Sequence, residues 1–98
     1  MNSGNASSTR TANPVREIDK ATFSKTDYGY SMDTPYGGAD ILDAVDATGR
    51  RYWEVQDVFG PEDSRGNVDI VSLHREFFTL NEAKNFAKDE IIRRYHRS

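Results

Sequence analysis

The chain of 98 residues is 36% hydrophobic and 30% charged, so it can support one small core and excludes an enzyme with a cleft between two domains. It contains no cysteine, which excludes disulfides, thiolate catalysis, thiolate zinc sites and iron–sulfur clusters. No stretch approaches the ~20 apolar residues of a membrane-spanning helix, and the Ser/Asn/Thr-rich start lacks the apolar segment of a signal peptide. We therefore expect a cytoplasmic protein.

Residues 1–26 are predicted to form a flexible polar arm ahead of a single domain over residues 27–98. The first half of the arm is rich in Ser, Asn and Thr and offers almost nothing that folding could bury. We therefore expect disorder up to residue 13. The second half has scattered apolar side chains and fits two interpretations, a short helix with Pro14 at its first position or an extended segment.

The clearest pair of strands lies on either side of residues 47–49, a three-residue connection with glycine where a common hairpin turn needs a left-handed residue. In the register that this turn sets, Asp43 pairs with Trp53. One face of the hairpin then carries four apolar side chains, which we assign to the core: Ile41, Val45, Trp53 and Val55. Strict alternation places Asp43 and Asp57 on the same face, where we expect them to reach solvent near its ends.

A helix is predicted over residues 79–96, after a third strand that ends at residue 78. Thr79 has the position of an N-cap, and Glu82 three residues later completes a capping box. Apolar side chains recur at three- and four-residue spacing along the helix: Leu80, Ala83, Phe86, Ala87, Ile91 and Tyr95. This spacing predicts an amphipathic helix that covers the sheet.

These elements predict a small α+β fold. A three-stranded antiparallel sheet over residues 39–78, made of the hairpin and a third strand, is covered by one C-terminal amphipathic helix. Residues 27–38 precede the sheet as an acidic, aromatic loop, because glycine and proline are interleaved with the tyrosines. A domain of this size buries only about 60% of its unfolded surface, so a homo-oligomer is compatible with the sequence.

The sequence offers no constellation typical of catalysis or of metal or cofactor binding. His74 and His96 fall on different predicted elements and lack the close spacing of metal ligands. Asp43 and Asp57 form the best pair of carboxylates, but nothing supplies the shielded cleft that a hydrolase needs. The glycines at 37–38 lead into aspartates that would repel a phosphate. We therefore expect no enzyme, no cofactor and no metal.

Acidic residues are concentrated in residues 27–48, which contain five aspartates, three tyrosines and no lysine or arginine, within a chain of net charge -3. This composition favours docking on a basic protein surface, because aromatic side chains anchor an interface and acidic ones accelerate the encounter. The predicted partner-binding residues are Tyr28, Tyr30, Asp33, Tyr36, Asp40 and Asp43. The simpler interpretation is a polar segment whose tyrosines cover the edge of the core.

The first functional hypothesis is therefore a non-enzymatic protein that acts through protein–protein interaction. It would serve as an acidic inhibitor or regulator that occupies a basic or nucleic-acid-binding surface of its partner, as inhibitors encoded by phages and other mobile elements do. The alternative is a small nucleic-acid-binding protein that uses sheet arginines and the basic end of the helix: Arg50, Arg51, Arg93, Arg94 and Arg97. The acidic pI of about 5.3 makes nucleic acid the weaker prediction, and no membrane is expected as a partner.

Overall fold

The computed structural model covers residues 13–97, which form one antiparallel sheet with two helices on one of its faces. The elements in chain order are helix α1 (Pro14–Lys20), strands β1 (Ser24–Lys25), β2 (Gly29–Thr34), β3 (Gly37–Val45), β4 (Arg51–Phe59) and β5 (Ile70–Phe77), and helix α2 (Leu80–Arg97). Each strand pairs with its neighbour in the sequence, in the order β1-β2-β3-β4-β5. Within this range, neither helix is long and apolar enough to cross a membrane.

The α+β class is confirmed, but the prediction of a three-stranded sheet covered by a single helix is wrong, since the structure has five strands and two helices. Residues 27–38, expected to be a loop, contain β2 and the turn into β3. Thr34 closes this turn, because its hydroxyl donates to the carbonyl of Gly37 (2.8 Å) and accepts from the backbone N–H of Tyr36 (3.1 Å). Pairing with the long strand β3 outweighs the weak strand preference of the glycines.

The segment before the sheet packs onto the domain through α1. The side chain of Asn13 accepts a hydrogen bond from the backbone N–H of Arg16 at 3.1 Å, and the proline that follows Asn13 occupies the first position of the helix. Ile18 is fully buried in the core, and the ammonium group of Lys88 in the C-terminal helix donates a hydrogen bond to the backbone carbonyl of Asp19, so these two contacts attach α1 to the rest of the domain. The disorder predicted up to residue 13 falls, except for Asn13, outside the described residues.

The register predicted for the β3–β4 hairpin is confirmed. Asp43 lies opposite Trp53, and Ile41 lies opposite Val55. Gly49 in the turn has a φ of 86°, which is the left-handed conformation that the bulge position of such a turn requires. The local turn chemistry therefore sets the pairing of the first half of β4.

Beyond Val55 the two faces of β4 exchange, because Gln56 forms a β-bulge. Ile41 pairs with Val55 and Asp40 pairs with Asp57, which leaves Gln56 without a partner residue in β3. One extra residue inverts the alternation of all that follow. The expectation that Asp57 shares the core face is therefore wrong, and its side chain lies on the opposite face of the sheet.

Helix α2 crosses the sheet and supplies one side of the core. In its first half, Phe86 packs against Phe77 at the end of β5 (ring centroids 5.1 Å apart), and near its C-terminal end Tyr95 meets Tyr36 edge-to-face in the β2–β3 turn (5.7 Å). The core consists of Ile18, Met32, Ala39, Ile41, Val55, Val58, Ala83, Ala87 and Ile91. The small alanines let the helix approach β3 and β4 closely.

The start of α2 follows the predicted capping box. The hydroxyl of Thr79 accepts from the backbone N–H of Glu82 (3.2 Å) and donates to the carboxylate of the same residue (2.9 Å). The helix begins at Leu80, as the sequence predicts.

We expect Thr79→Ala to lower the free energy of unfolding by about 1 kcal/mol, because it removes the acceptor for an otherwise unpaired N–H of the first turn. Urea denaturation followed by circular dichroism measures this change. Thr79→Ser is the matched control, since serine keeps the hydroxyl, and its stability should lie within about 0.5 kcal/mol of the parent. Equal stability of the alanine and serine variants would contradict the assigned cap.

Candidate functional site

The sheet has two faces with different surroundings. Both helices pack on one of them, here called the helix face, which carries core residues such as Met32, Ile41 and Val55. The strand register places the alternate side chains on the other face, here called the open face. The side chains of the open face are Ser31, Asp33, Asp40, Leu42, Ala44, Tyr52, Glu54, Asp57, Phe59, Ile70, Ser72, His74 and Glu76.

The open face is acidic. It carries five carboxylates: Asp33, Asp40, Glu54, Asp57 and Glu76. The three basic residues of the strands, Lys25, Arg51 and Arg75, are paired across the sheet with residues of the helix face. No lysine or arginine of strands β1 to β5 therefore offsets the negative charge of the open face.

Two pairs of like charges face each other directly across neighbouring strands: Asp40 opposite Asp57, and Glu54 opposite Glu76. Such pairs destabilise a sheet by roughly 0.2–1 kcal/mol each. Each pair gains one compensating contact, since Asp57 accepts from the hydroxyl of Ser72 (2.9 Å) and a carboxylate oxygen of Glu54 lies 2.8 Å from Nδ1 of His74. The two carboxylates of each pair still repel each other, and this repulsion lowers the stability of the sheet.

Apolar and aromatic side chains lie among these acids. Leu42, Tyr52 and Phe59 are half-buried, and the side chain of Ile70 is 61% exposed. The ring of Phe59 lies over the backbone of Gly38, because a Cβ added there would come within 2.6 Å of two ring carbons. Aromatic anchors surrounded by polar groups are typical of protein–protein interfaces.

A hollow of about 500 Å³, here called the hairpin hollow, opens where the open face meets the β2–β3 turn. It is lined by Asp33, Thr34, Pro35, Phe59, Gly60, Glu62 and Val68. Within residues 13–97, neither Asp33 nor Glu62 makes a hydrogen bond or ion pair through its carboxylate. In the same range, no group of three or more histidine or acidic side chains is placed to hold a metal ion.

The three aspartates predicted to bind a partner are divided between the two faces. Asp33 and Asp40 lie on the open face. Asp43 lies on the helix face, where its oxygens accept from Nε and Nη2 of Arg51 at 3.0 and 2.6 Å. The hydrogen bond from Arg51 holds the pKa of Asp43 below its ordinary value. The charge of Asp43 is therefore used within the hairpin.

The three predicted tyrosines do not lie together either. Tyr28 is 77% exposed in the turn between β1 and β2. Tyr30 lies on the helix face, with the ammonium groups of Lys25 and Lys84 within 5.4 Å of its ring centroid. Tyr36 packs against α2, as described above. Two of the three tyrosines therefore contribute to the packing of the domain.

The five arginines of the alternative prediction fall into two groups: Arg50 and Arg51 in one, and Arg93, Arg94 and Arg97 in the other. The guanidinium of Arg50 lies 4.0 Å from the ring centroid of Phe78, directly before α2 begins. The second group occupies the last turns of α2, beside the β2–β3 turn. An 18-residue helix spans about 27 Å, so these arginines lie at opposite ends of the sheet.

Glu54, Asp57 and Glu76 belong to the open face but are absent from the residues predicted to bind a partner. The sequence does indicate the position of Glu76, because the polar residues Ser72, His74 and Glu76 alternate along the strand and therefore share one face. The position of Asp57 depends on the bulge at Gln56, for which no sequence pattern gives a signal.

Compared with protein-family models, with curated proteins and with solved structures, the chain has no significant match. Its function therefore has to be inferred from the surface of the fold.

Proposed function

We propose that this protein is a non-enzymatic binding module that docks its open face on a basic surface of a partner protein. It would act there as an acidic inhibitor or regulator, occupying a surface that otherwise binds nucleic acid. The observation that carries the proposal is the segregation of charge: five carboxylates share a sheet face on which neither helix of residues 13–97 packs, with no lysine or arginine from the strands. A cytoplasmic location is part of the proposal.

The two pairs of opposed carboxylates support this function. A sheet that served only to hold the fold together would gain stability from opposite charges at these positions. Residues that lower stability without a structural benefit are expected at functional sites, where a partner supplies the missing interaction. Basic side chains of a partner would remove the repulsion between Asp40 and Asp57 on binding, so the interface gains an interaction that the free protein lacks.

The chemistry of the partner follows from this charge pattern. Neighbouring strands of a sheet lie about 4.8 Å apart, so the two pairs of directly opposed carboxylates place negative charges close together on the open face. Surfaces that bind nucleic acid carry lysine and arginine to contact closely spaced phosphates. An acidic face of this kind competes for such a surface. Bare nucleic acid is a poor ligand for the same face, because the two polyanions repel each other.

The alternative, direct binding of nucleic acid, has weaker support. The basic groups are divided between the two ends of the sheet, and two of them already lie over aromatic rings of the same chain, Arg50 over Phe78 and Arg51 over Trp53. A second copy of this chain is another candidate partner for the open face, because the helix face of that copy carries more basic side chains than the open face does. Sedimentation velocity over a range of concentrations tests that arrangement.

We expect the double variant Asp40→Asn/Asp57→Asn to change stability and binding in opposite directions. Removing the opposed charges should raise the free energy of unfolding by roughly 0.5 kcal/mol, because like charges across strands are destabilising. The same variant should slow association with the basic partner several-fold, since acidic residues at an interface mainly accelerate the encounter. Urea denaturation measures the first change and surface plasmon resonance the second.

The partner for this measurement is captured from nuclease-treated host lysate and then purified. Asp19→Asn/Asp89→Asn is the matched control, because it removes the same charge at two exposed positions on the helices, which pack on the other face of the sheet, and its association rate should stay near that of the parent. The purified partner should also lose its affinity for nucleic acid when the protein is bound. Equal association rates for both double variants, or salt-sensitive micromolar binding of the protein to bare DNA or RNA, would contradict the proposal.

A further inference from the structure

The hairpin hollow gives the docking proposal a more specific chemistry. Its lining includes the aromatic residue Phe59, the apolar residues Pro35 and Val68, and two acidic residues, Asp33 and Glu62. The carboxylates come from different elements, one from β2 and the other from the loop between β4 and β5. A volume of about 500 Å³ is sufficient to admit a long side chain.

We infer that the hairpin hollow binds an arginine side chain of the basic partner, an inference that rests on the proposed function. A guanidinium stacks on an aromatic ring and at the same time donates to carboxylates in its plane, which requires a ring and acidic groups around one space. Phe59, Asp33 and Glu62 provide that combination. Both carboxylates are free of intramolecular partners among the described residues, so an incoming cation displaces no existing ion pair.

The hollow is selective for arginine over lysine. An ammonium is compact and strongly hydrated, whereas a guanidinium is planar, more weakly hydrated and able to stack on a ring. The ring of Phe59 is held in place by its contact with the backbone of Gly38, where a side chain would collide with it. A fixed ring is presented to the ligand without the entropic cost of ordering it.

The test uses the whole protein and two named probes, a nona-arginine and a nona-lysine peptide of equal charge. Binding is measured by isothermal titration, and the site by chemical-shift changes of the backbone amides of Gly38 and Gly60 in NMR spectra. We expect the arginine peptide to bind several-fold more tightly than the lysine peptide, with its largest shifts at these amides.

Substitutions at three positions of the hollow locate the binding. Asp33→Asn and Glu62→Gln should each weaken the arginine peptide by roughly threefold to fivefold, the usual effect of one exposed charge pair. Phe59→Leu should abolish the preference for arginine over lysine, while Phe59→Tyr, which keeps an aromatic face, should retain it. Asp89→Asn, an exposed acid on α2, is the control of equal charge and should change neither affinity nor preference.

The outcomes separate this inference from the docking proposal. If both peptides bind with equal affinity and only Asp40→Asn/Asp57→Asn lowers that affinity, the hollow is not an arginine site, while docking by the open face stands. If the variants of the hollow lower the affinity for the arginine peptide and Asp40→Asn/Asp57→Asn does not, the hollow is supported as an arginine site and the wider docking surface is refuted. If the arginine peptide causes no chemical-shift changes at the backbone amides of Gly38 and Gly60, the inference is overturned.

Discussion

Ile91→Ala should lower the free energy of unfolding by about 3 kcal/mol, because removal of a buried isoleucine loses its transfer energy and leaves a cavity. Ile91 is fully buried in the middle of the core. Its Cγ2 lies against Gly37, close enough that a Cβ added to that glycine would be 3.0 Å away, so the helix and the β2–β3 turn meet at this side chain. A domain of this size has a total stability of only about 5–15 kcal/mol.

Chemical denaturation at equilibrium measures this loss. Val45→Ala is the control, because Val45 has the same kind of aliphatic side chain but is 62% exposed at the end of β3, and its replacement should change stability by less than about 0.5 kcal/mol. If the two variants were equally stable, α2 would not pack on the sheet as described.

Gly38→Ala should also be strongly destabilising, by about 2 kcal/mol, which is the usual range for a side chain forced into occupied space. A Cβ at this position would come within 2.2 Å of the carbonyl oxygen of Met32 and 2.6 Å of the ring of Phe59. Either β2 or the ring must then move. Because Phe59 lines the hairpin hollow, we expect the variant to lose its preference for the arginine peptide together with its stability.

Gly60→Ala is the matched control for Gly38→Ala. Gly60 lies at the end of β4 beside the same hollow, yet a Cβ there would meet no atom within 4 Å, and its φ is not in the left-handed region. Alanine at this position should leave stability unchanged or raise it by a few tenths of a kcal/mol, because it restricts the unfolded chain. Thermal unfolding of the two variants side by side tests the contrast, and equal melting temperatures would show that Phe59 does not rest on Gly38.

The separation of charge between the two faces is the feature on which the proposed function rests. On the helix side, cations lie over aromatic rings of the same chain, as Lys84 does over Tyr30 and Arg50 over Phe78. The acids of the open face have fewer intramolecular partners. One of these partners is His74, which lies beside Glu54. Within the described residues, the cations of the helix side therefore have more contacts with their own chain than the acids of the open face have.

The parts of the structure that the sequence predicts correctly are those determined by residues close together in the chain. The start of α2 depends on Thr79 and Glu82, three residues apart, and the pairing of Asp43 with Trp53 depends on the short turn that contains Gly49. The acidic character of residues 27–48 is equally visible. Composition and local turn chemistry suffice for these features, because capping and turn geometry involve only a few successive residues.

The parts that only the tertiary structure decides depend on pairing between distant segments. Strand β2 has weak strand preference and forms because β3 offers it a full length of hydrogen-bonding partners. The bulge at Gln56 arises from the fit of β4 between two neighbours, and it carries Asp57 to the face where Asp40 lies. A shift of one residue exchanges the two faces of a strand. The sequence therefore determines that this protein is acidic, while its tertiary structure determines which acids share a surface.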